Sequence, residues 1–443
     1  MLRIVQISTT DVTGGAALAA HRLHQALPAE DVLSTMFVAL KKSADDSVIE
    51  FNASVWGSRS LGNLLFRAGR RIQRRVLPAD RTLMTLDWSL FGGMVLRQLP
   101  DADVFHLHWA VDLLDFRILP RLARRAPLAW TFHDMNAFTG GCHYDRGCSR
   151  FTQECGSCPL ISSTDPRDVT HRVIQRKLSA LRELPESRIV VVCPSRWMAA
   201  ETRRSTVFKR FDNVVIPNGI DIRTFRPLDR AELRRKYALS PDDRVILFVA
   251  DKIGDPRKGW FELEQALAHV MHLPKLRILT LGHGDTEKMQ GPLFRHLGQL
   301  NDPAEICEAY NLADIFVIPT LQDNFPNTVI ESLASGTPVV GFATGGVVDA
   351  VEQGVSGLLA PTGDIAGFAR HITEALTNDP LRASMGLAAR ARAVEYYSLE
   401  RQAKACAALY HRMVAGGTND DRPFTGLRPA PAASSPADQS LTA

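Results

Sequence analysis

The chain has 443 residues, 45% of them hydrophobic, and a formal net charge of +4 at pH 7. That length predicts two domains rather than one, and the apolar content supplies sizeable cores and excludes general disorder. The charge excess is too small to imply a nucleic-acid partner, and no apolar run approaches the ~20 residues of a membrane-spanning helix.

The N-terminal MLRIVQIS enters a strand directly, without the apolar stretch and cleavage site of a signal peptide, so a cytoplasmic protein is expected. Seven cysteines, an odd number, argue against a disulfide framework. After the first strand comes TTDVTGGAALAAHRLHQAL, a glycine loop leading into a helix. Gly14 and Gly15 let backbone amides approach a ligand at the helix N-terminus, where phosphate is favoured; a plain tight turn is the equal alternative. From Ser58 to Arg75, Leu61, Leu64, Leu65, Ala68 and Ile72 recur at helical spacing, with Arg67, Arg70, Arg71, Arg74 and Arg75 on the remaining face. Such a basic amphipathic helix suits an anionic membrane surface or, equally, a solvated face whose apolar stripe packs on the domain.

DVFHLHW and PLAWTFHD read as two further strands, each ending in histidine at its carboxyl edge, which aims His108 and His133 at the crevice of Gly15. Next, Cys142, Cys148, Cys155 and Cys158 are spaced C-x5-C-x6-C-x2-C within a loop, 141–159. Four thiolates in one loop fit a closed tetrahedral zinc site, with His143 as a substitute ligand; free or redox-active thiols and disulfides are the other readings. RIVVVCPS is another strand. RVILFVA opens the second half, and Lys252, Arg257 and Lys258 cluster past its carboxyl end, where a phosphate could sit; a solvated basic turn is the bland reading. LRILTLGHGD brings Gly282 close to the same edge.

The stretch from Ile315 to Gly346 organises this half. IFVIPT is a buried parallel strand and LQDNFPNT a polar loop. VIESLASG is a helix that Asn327 or Thr328 is placed to cap and Gly336 to stop. TPVVGF is a second strand, and Gly345-Gly346 a turn opening another helix. Ligands in such sheets bind beyond the carboxyl ends of the strands. Asp323 in the loop and Glu331 in the first helical turn therefore both face that crevice. The spacing suits a polyhydroxylated ligand better than a metal, because no third ligand is near in sequence.

With its carboxylate-x7-carboxylate spacing and its Asp-Asn-Phe-Pro-Asn-Thr run, this stretch resembles retaining GT-B glycosyltransferases of family 4, in the bacterial exopolysaccharide and colanic-acid branch. The resemblance covers most of residues 1–413. The family usually has Glu at both positions; here the first is Asp.

The resemblance implies two Rossmann-like α/β domains facing across a cleft. Residues 1–217 would form the acceptor domain and 218–395 the nucleotide-sugar donor domain. A helix over 396–413 would cross back to the first domain, and 414–443 would be a disordered tail. It also implies transfer of a sugar from a nucleoside diphosphate sugar to a hydroxyl of a lipid-linked saccharide, with no cofactor required. His133 would hydrogen-bond the transferred sugar, Asp323 its hydroxyls and Glu331 the ribose. Lys252 and Lys258 would support the leaving diphosphate, in place of the family's Arg and Lys. Asn218, at the interdomain boundary, joins the donor contacts with Gly14, Gly15, Arg257, Gly282, Asn324, Phe325, Pro326, Asn327, Thr328, Gly345 and Gly346. A peripheral site on the cytoplasmic face of the inner membrane follows if the basic helix binds lipid. The rivals are a non-hydrolysing nucleotide-sugar epimerase, a glycogen-synthase-like enzyme and a non-catalytic nucleotide-sugar-binding partner of a polysaccharide complex.

Overall fold

The computed structural model describes residues 1–52, 84–89, 91–284 and 293–416. The basic stretch with Arg67, Arg70, Arg71, Arg74 and Arg75, and the tail from residue 417, lie outside the described residues. In the first half, apolar runs pair as a parallel sheet. Its strands are β1 (Leu2–Thr10), β2 (Val32–Leu40), β3 (Val48–Glu50), β4 (Val104–Leu107), β5 (Leu128–Thr131), β6 (Ile189–Cys193) and β7 (Asp212–Val215), in the order β3-β2-β1-β4-β5-β6-β7. In the second half β8 (Arg244–Lys252), β9 (Leu276–His283), β10 (Phe294–His296), β11 (Ile315–Ile318), β12 (Val339–Phe342) and β13 (Gly357–Ala360) pair in the order β10-β9-β8-β11-β12-β13, again parallel. Every residue of β11 and β12 is buried, as expected of parallel strands covered on both faces.

Each sheet reverses its strand order once, between β1 and β4 and between β8 and β11. Those reversals open crevices at the carboxyl ends of the strands. Five helices matter below: α1 (Gly15–Ala26), α2 (Pro303–Leu312), α3 (Asn327–Ala334), α4 (Val347–Ala350) and α5 (Leu399–Val414).

Helix α5 follows the second domain in sequence but packs on the first. Cys406, Leu409 and Tyr410 share a core with Ile4, Leu23, Val104, Ala129 and Val192. Its start is pinned to the interdomain linker, where Ile220 N–H donates to Tyr397 O at 2.8 Å and Leu399 N–H to Ile220 O at 3.0 Å. Deeper in, the Tyr410 hydroxyl meets Nδ1 of buried His106 at 2.6 Å, and Nε2 of that ring meets Thr131 Oγ1 at 2.7 Å. Both ring nitrogens are thus spent on neutral partners.

Burial pushes His106 down to about 3, and His24 and His133 down to about 4, against neighbouring carboxylates at the latter two. These rings take up protons near pH 6.5 when unfolded and only at much lower pH when folded. Their contribution to stability is therefore complete above about 6.5 and is lost as pH falls toward about 4, by up to about 1.4 kcal/mol per pH unit for each ring. Urea unfolding followed from neutral pH to about pH 5 should show a falling midpoint; a flat profile would mean the rings titrate normally in the folded chain.

Candidate functional site

The loop after β11 ends at α3, whose N-cap position is Pro326, without a side-chain cap. The expected capping role of Asn327 is therefore not what the structure shows. Asn327 is the first helical residue, and its amide reaches across to the first domain. Nδ2 donates to Gly15 O at 3.0 Å, and Oδ1 accepts from Asn218 Nδ2 at 3.1 Å. Thr328 is half-buried in the same turn, while Gly336 stops the helix with φ 73°, as its position predicts. Glu331 is the fifth helical residue, one turn deeper than the sequence suggested. Phe325 points inward rather than toward a ligand, its ring 5.4 Å from that of Tyr397, and Pro326 is buried beside it.

Asp323 is the electrostatic centre. Its Oδ2 accepts from Lys258 Nζ at 2.6 Å and from Arg257 Nη1 at 3.0 Å. Its Oδ1 accepts from the Asn324 amide at 3.0 Å and from the Tyr144 hydroxyl at 3.3 Å. Burial alone would raise its pKa, but the Lys258 and Arg257 charges outweigh this and hold it well below the usual carboxylate range. Arg257 is pushed up in turn: burial opposes its charge, and Asp323 more than compensates. The turn at Gly345-Gly346 seats this loop. A Cβ on Gly346 would lie 1.5 Å from Asn324 O and one on Gly345 1.9 Å from Asp323 O, while Gly346 N–H donates to Asp323 O at 3.0 Å.

Lys252 departs from its expected role. It ends β8 with an exposed side chain and, among the described residues, joins none of the ion pairs at Asp323. Arg257 stands where the sequence reading placed Lys252. Gly282 closes β9 beside β8, with φ 134° and room for no side chain, since a Cβ would lie 1.7 Å from Ala250 O.

Glu331 is paired across the cleft with Arg22 of α1, at 2.9 Å, and with the Tyr310 hydroxyl of α2, at 3.2 Å. The Arg22 Nη1 atom is buried without a partner among the described residues. Opposite Asp323, Asn324 Nδ2 donates to Phe132 O at 2.8 Å and His133 O at 3.2 Å, and Asn324 Oδ1 accepts from Ser195 Oγ at 2.6 Å. Arg196 and Asp349 form a further ion pair between the halves, at 3.1 Å.

The His133 ring has a tautomer fixed by its neighbours. Gln6 Oε1 can only accept, so His108 Nε2, 2.8 Å away, carries a hydrogen. Burial keeps His108 neutral, its pKa well below normal. Its Nδ1 therefore accepts from His133 Nε2, 3.1 Å away. That leaves His133 Nδ1 as a lone pair, able to accept from a hydroxyl. Beside this ring lies a cavity of about 50 Å³, lined by Trp109, Trp130, Asp134 and Asp115 among others.

The structure thus brings Gly15 and His133 of the first half, and Asn218 at the boundary, against Arg257, Lys258, Asp323, Asn324, Asn327 and Glu331 of the second. Gly14 opens the α1 loop with φ 87°. Arg22 and Tyr144 are site residues that the sequence analysis missed. Tyr144 sits in the cysteine-rich loop, with Arg257 over its ring at 4.6 Å; Arg22 was visible only as the polar face of a helix after a glycine loop. The four cysteines of that loop are free thiols lining one hollow of about 20 Å³. Among the described residues, no three His, Cys, Asp or Glu side chains stand ready around one metal ion.

Residues 13–224 match the family described as Glycosyltransferase Family 4, and residues 243–378 that described as Glycosyl transferases group 1. A D-inositol 3-phosphate glycosyltransferase of Segniliparus rotundus is 32% identical over 216 residues, 46% of this chain and 47% of that protein. The chain thus spans about half the length of that curated relative. One of the same name from Catenulispora acidiphila is 27% identical over 74% of this chain and 76% of its own. Among solved structures, sucrose-phosphate synthase of Thermosynechococcus elongatus has a TM-score of 0.64 at 19% identity, covering 94% of this chain and 100% of that one. Anabaena HepE in complex with UDP and glucose has a TM-score of 0.61 at 17% identity, covering 93% and 100%. These likenesses show the fold: two Rossmann-like domains in the GT-B arrangement.

The Arg22–Glu331 pair has side chains only 11% and 7% exposed. Breaking such a pair leaves a charge stranded, at a cost of about 3–5 kcal/mol. Arg22→Ala and Glu331→Gln should each destabilise the fold strongly, and the double variant by less than their sum. Additive losses in urea unfolding would show that the two charges are not coupled.

Proposed function

The chain belongs to the family 4, group 1 glycosyltransferases, and from that premise we propose that it moves a sugar from a nucleoside diphosphate sugar to a hydroxyl of a lipid-linked saccharide, with retention of anomeric configuration, in exopolysaccharide or cell-surface polysaccharide synthesis. The observation that carries this reading is the cluster of Arg257, Lys258 and Asp323, joined at 2.6–3.0 Å, beside Asn324, whose amide reaches the His133 carbonyl of the first half. Cleaving the anomeric bond of the donor develops positive charge on the sugar, as in glycoside hydrolysis, and negative charge on the departing diphosphate. Lys258 and Arg257 stand against Asp323 and, at 3.6 Å from Arg257, Asp255; the two cations steady that departing charge electrostatically. Glu331 accepts from the ribose, and Asp323 from a sugar hydroxyl that takes the place of the Tyr144 hydroxyl on Oδ1. The buried, unpartnered Arg22 Nη1 offers one more donor to a ligand oxygen. His133, neutral and with a free Nδ1 lone pair, accepts from a sugar hydroxyl and is neither nucleophile nor acid. Solved structures of similar fold hold UDP, UDP and glucose, or UDP-glucose, which supports a nucleotide-sugar donor here.

The acceptor end rests on the cavity beside His133. The membrane contact rests on the basic stretch at Arg67, Arg70, Arg71, Arg74 and Arg75, which suits an anionic cytoplasmic leaflet. No helix among the described residues is long and apolar enough to cross a membrane. A second reading takes an inositol phosphate as acceptor, because the relatives that match carry that name. An epimerase or a nucleotide-sugar sensor would need no acceptor at all.

These alternatives separate in one assay. Nucleotide sugars are screened by thermal shift, where a ligand at about 100 times its Kd adds roughly 2.7 kcal/mol of stability. The binding donor is then offered lipid-linked saccharides and inositol phosphates, and diphosphate release and product anomer are read. Acceptor-dependent release with a retained anomer supports the proposal. Donor conversion without acceptor, or binding without release, overturns it. Lys258→Ala should fold normally yet lose turnover by about two to three orders of magnitude, the scale of removing a preorganised charge partner; near-normal transfer would refute its role.

A further inference from the structure

The four cysteines of the loop over 141–159 are not explained by the transfer reaction. Cys142, Cys148, Cys155 and Cys158 all line one small hollow, together with Met84, Gly140, Asp145, Arg150, Phe151, Gly156 and Thr170. They come from three separate turns of the loop, so their convergence is a property of the fold and not of adjacency. One backbone amide is aimed at a sulfur: Gly140 N–H donates to Cys155 Sγ at 3.2 Å. Two cations stand by. Lys177 is fully buried, bonded to the carbonyls of Asn136 and Thr139 and within electrostatic reach of Cys142 and Cys155. Arg150 lines the hollow itself and donates to Gly156 O at 2.8 Å. Lys177 is also offset by Asp87, and Arg150 is exposed to solvent.

We propose that Cys142, Cys148, Cys155 and Cys158 bind one zinc ion, and that this ion holds the loop carrying Tyr144 and Asp145 against the Asp323 loop. Binding replaces four S–H bonds by four Zn–S bonds, releases four protons to solvent and leaves a centre of charge −2 facing Lys177 and Arg150. The thiols do not yet surround a single point, so the ion draws inward side chains that already share one hollow. The consequence for the cleft is direct. Tyr144 lies two residues after Cys142 and touches Asp323 Oδ1 and the Asn324 amide, both at 3.3 Å, while Asp145 Oδ1 accepts from Gln322 Nε2 at 2.9 Å. The second half of the proposal rests on the donor reading of Asp323; the metal itself does not.

The test separates the two halves. The whole chain, purified under reducing conditions, is analysed for metals before and after reconstitution with zinc chloride. About one zinc per chain is expected, with four thiols shielded from a thiol reagent until a chelator removes the ion, and Cys148→Ser and Cys158→Ser should each lower zinc retention at least about tenfold. Should a variant fail to fold, the thiol-shielding experiment on the unaltered chain decides alone. Below about a tenth of an equivalent after reconstitution, the metal site is overturned; iron with visible absorption, or a disulfide between these cysteines, overturns the zinc assignment. With zinc confirmed, its removal should raise the donor KM by about tenfold or more with a smaller change in kcat, and an unchanged KM overturns the link to Tyr144 without touching the metal site.

Discussion

Two cations share a single carboxylate oxygen at the mouth of the cleft. Arg257 Nη1 and Lys258 Nζ both donate to Asp323 Oδ2, and the other oxygen is taken by the Asn324 amide and the Tyr144 hydroxyl. A carboxylate this deeply buried survives as an ion only when it is paired and its lone pairs are filled. Filling them determines where everything around it lies. The loop after β8 must present Arg257 and Lys258 on one side, the cysteine loop must present Tyr144 on the other, and the Gly345-Gly346 turn must pass too close beneath for any side chain. The shorter Asp, in place of the more usual Glu, is accommodated because both cations come to it.

The same arrangement couples the two domains. Asn324 bonds the carbonyls of Phe132 and His133, Asn327 bonds Gly15, Glu331 bonds Arg22, and Asp349 bonds Arg196. All of these bridges are polar and two are ionic. Interfaces of that kind between domains open and close more readily than apolar ones. The apolar joint lies elsewhere, where α5 packs on β1, β4, β5 and β6 and its Tyr410 reaches His106. The molecule thus has a greasy, permanent seam on its back and a set of exchangeable hydrogen bonds at its front, a division that suits hinge closure around a ligand.

Much of this was legible in residue order. Parallel strands announce themselves as short apolar runs ending in Gly, Pro or His, and the strand-loop-helix-strand unit from Ile315 to Gly346 could be drawn before any coordinates. What could not be read was pairing between distant segments. Arg22 is 309 positions from Glu331 and Tyr144 is 179 from Asp323, and no periodicity links them. Asn327 misled for a related reason. Its type and place suggest a helix cap, but its amide joins Gly15 and Asn218 instead, and Pro326 takes the N-cap position without a side-chain cap. Lys252 misled because spacing along a chain does not say on which side of a tight turn a side chain emerges; one 3-10 turn, Pro256–Lys258, brings Arg257 to the carboxylate and leaves Lys252 outside.

The titration of these groups constrains how protons move in the proposed transfer. Burial holds His133 neutral, with its pKa down to about 4, and its Nε2 hydrogen is already given to His108, so the free Nδ1 would have to become cationic in an apolar setting to act as a base. Asp323 is a carboxylate held well below its usual range by Lys258 and Arg257 against its own burial, which makes it a poor base as well. Burial beside Asp323 pushes the Tyr144 hydroxyl far above its usual range, so it stays protonated. Each of these groups has been moved away from neutrality, the reverse of what general acid–base catalysis requires. His133, Asp323 and Tyr144 are therefore each poorly matched to taking a proton from a hydroxyl near pH 7.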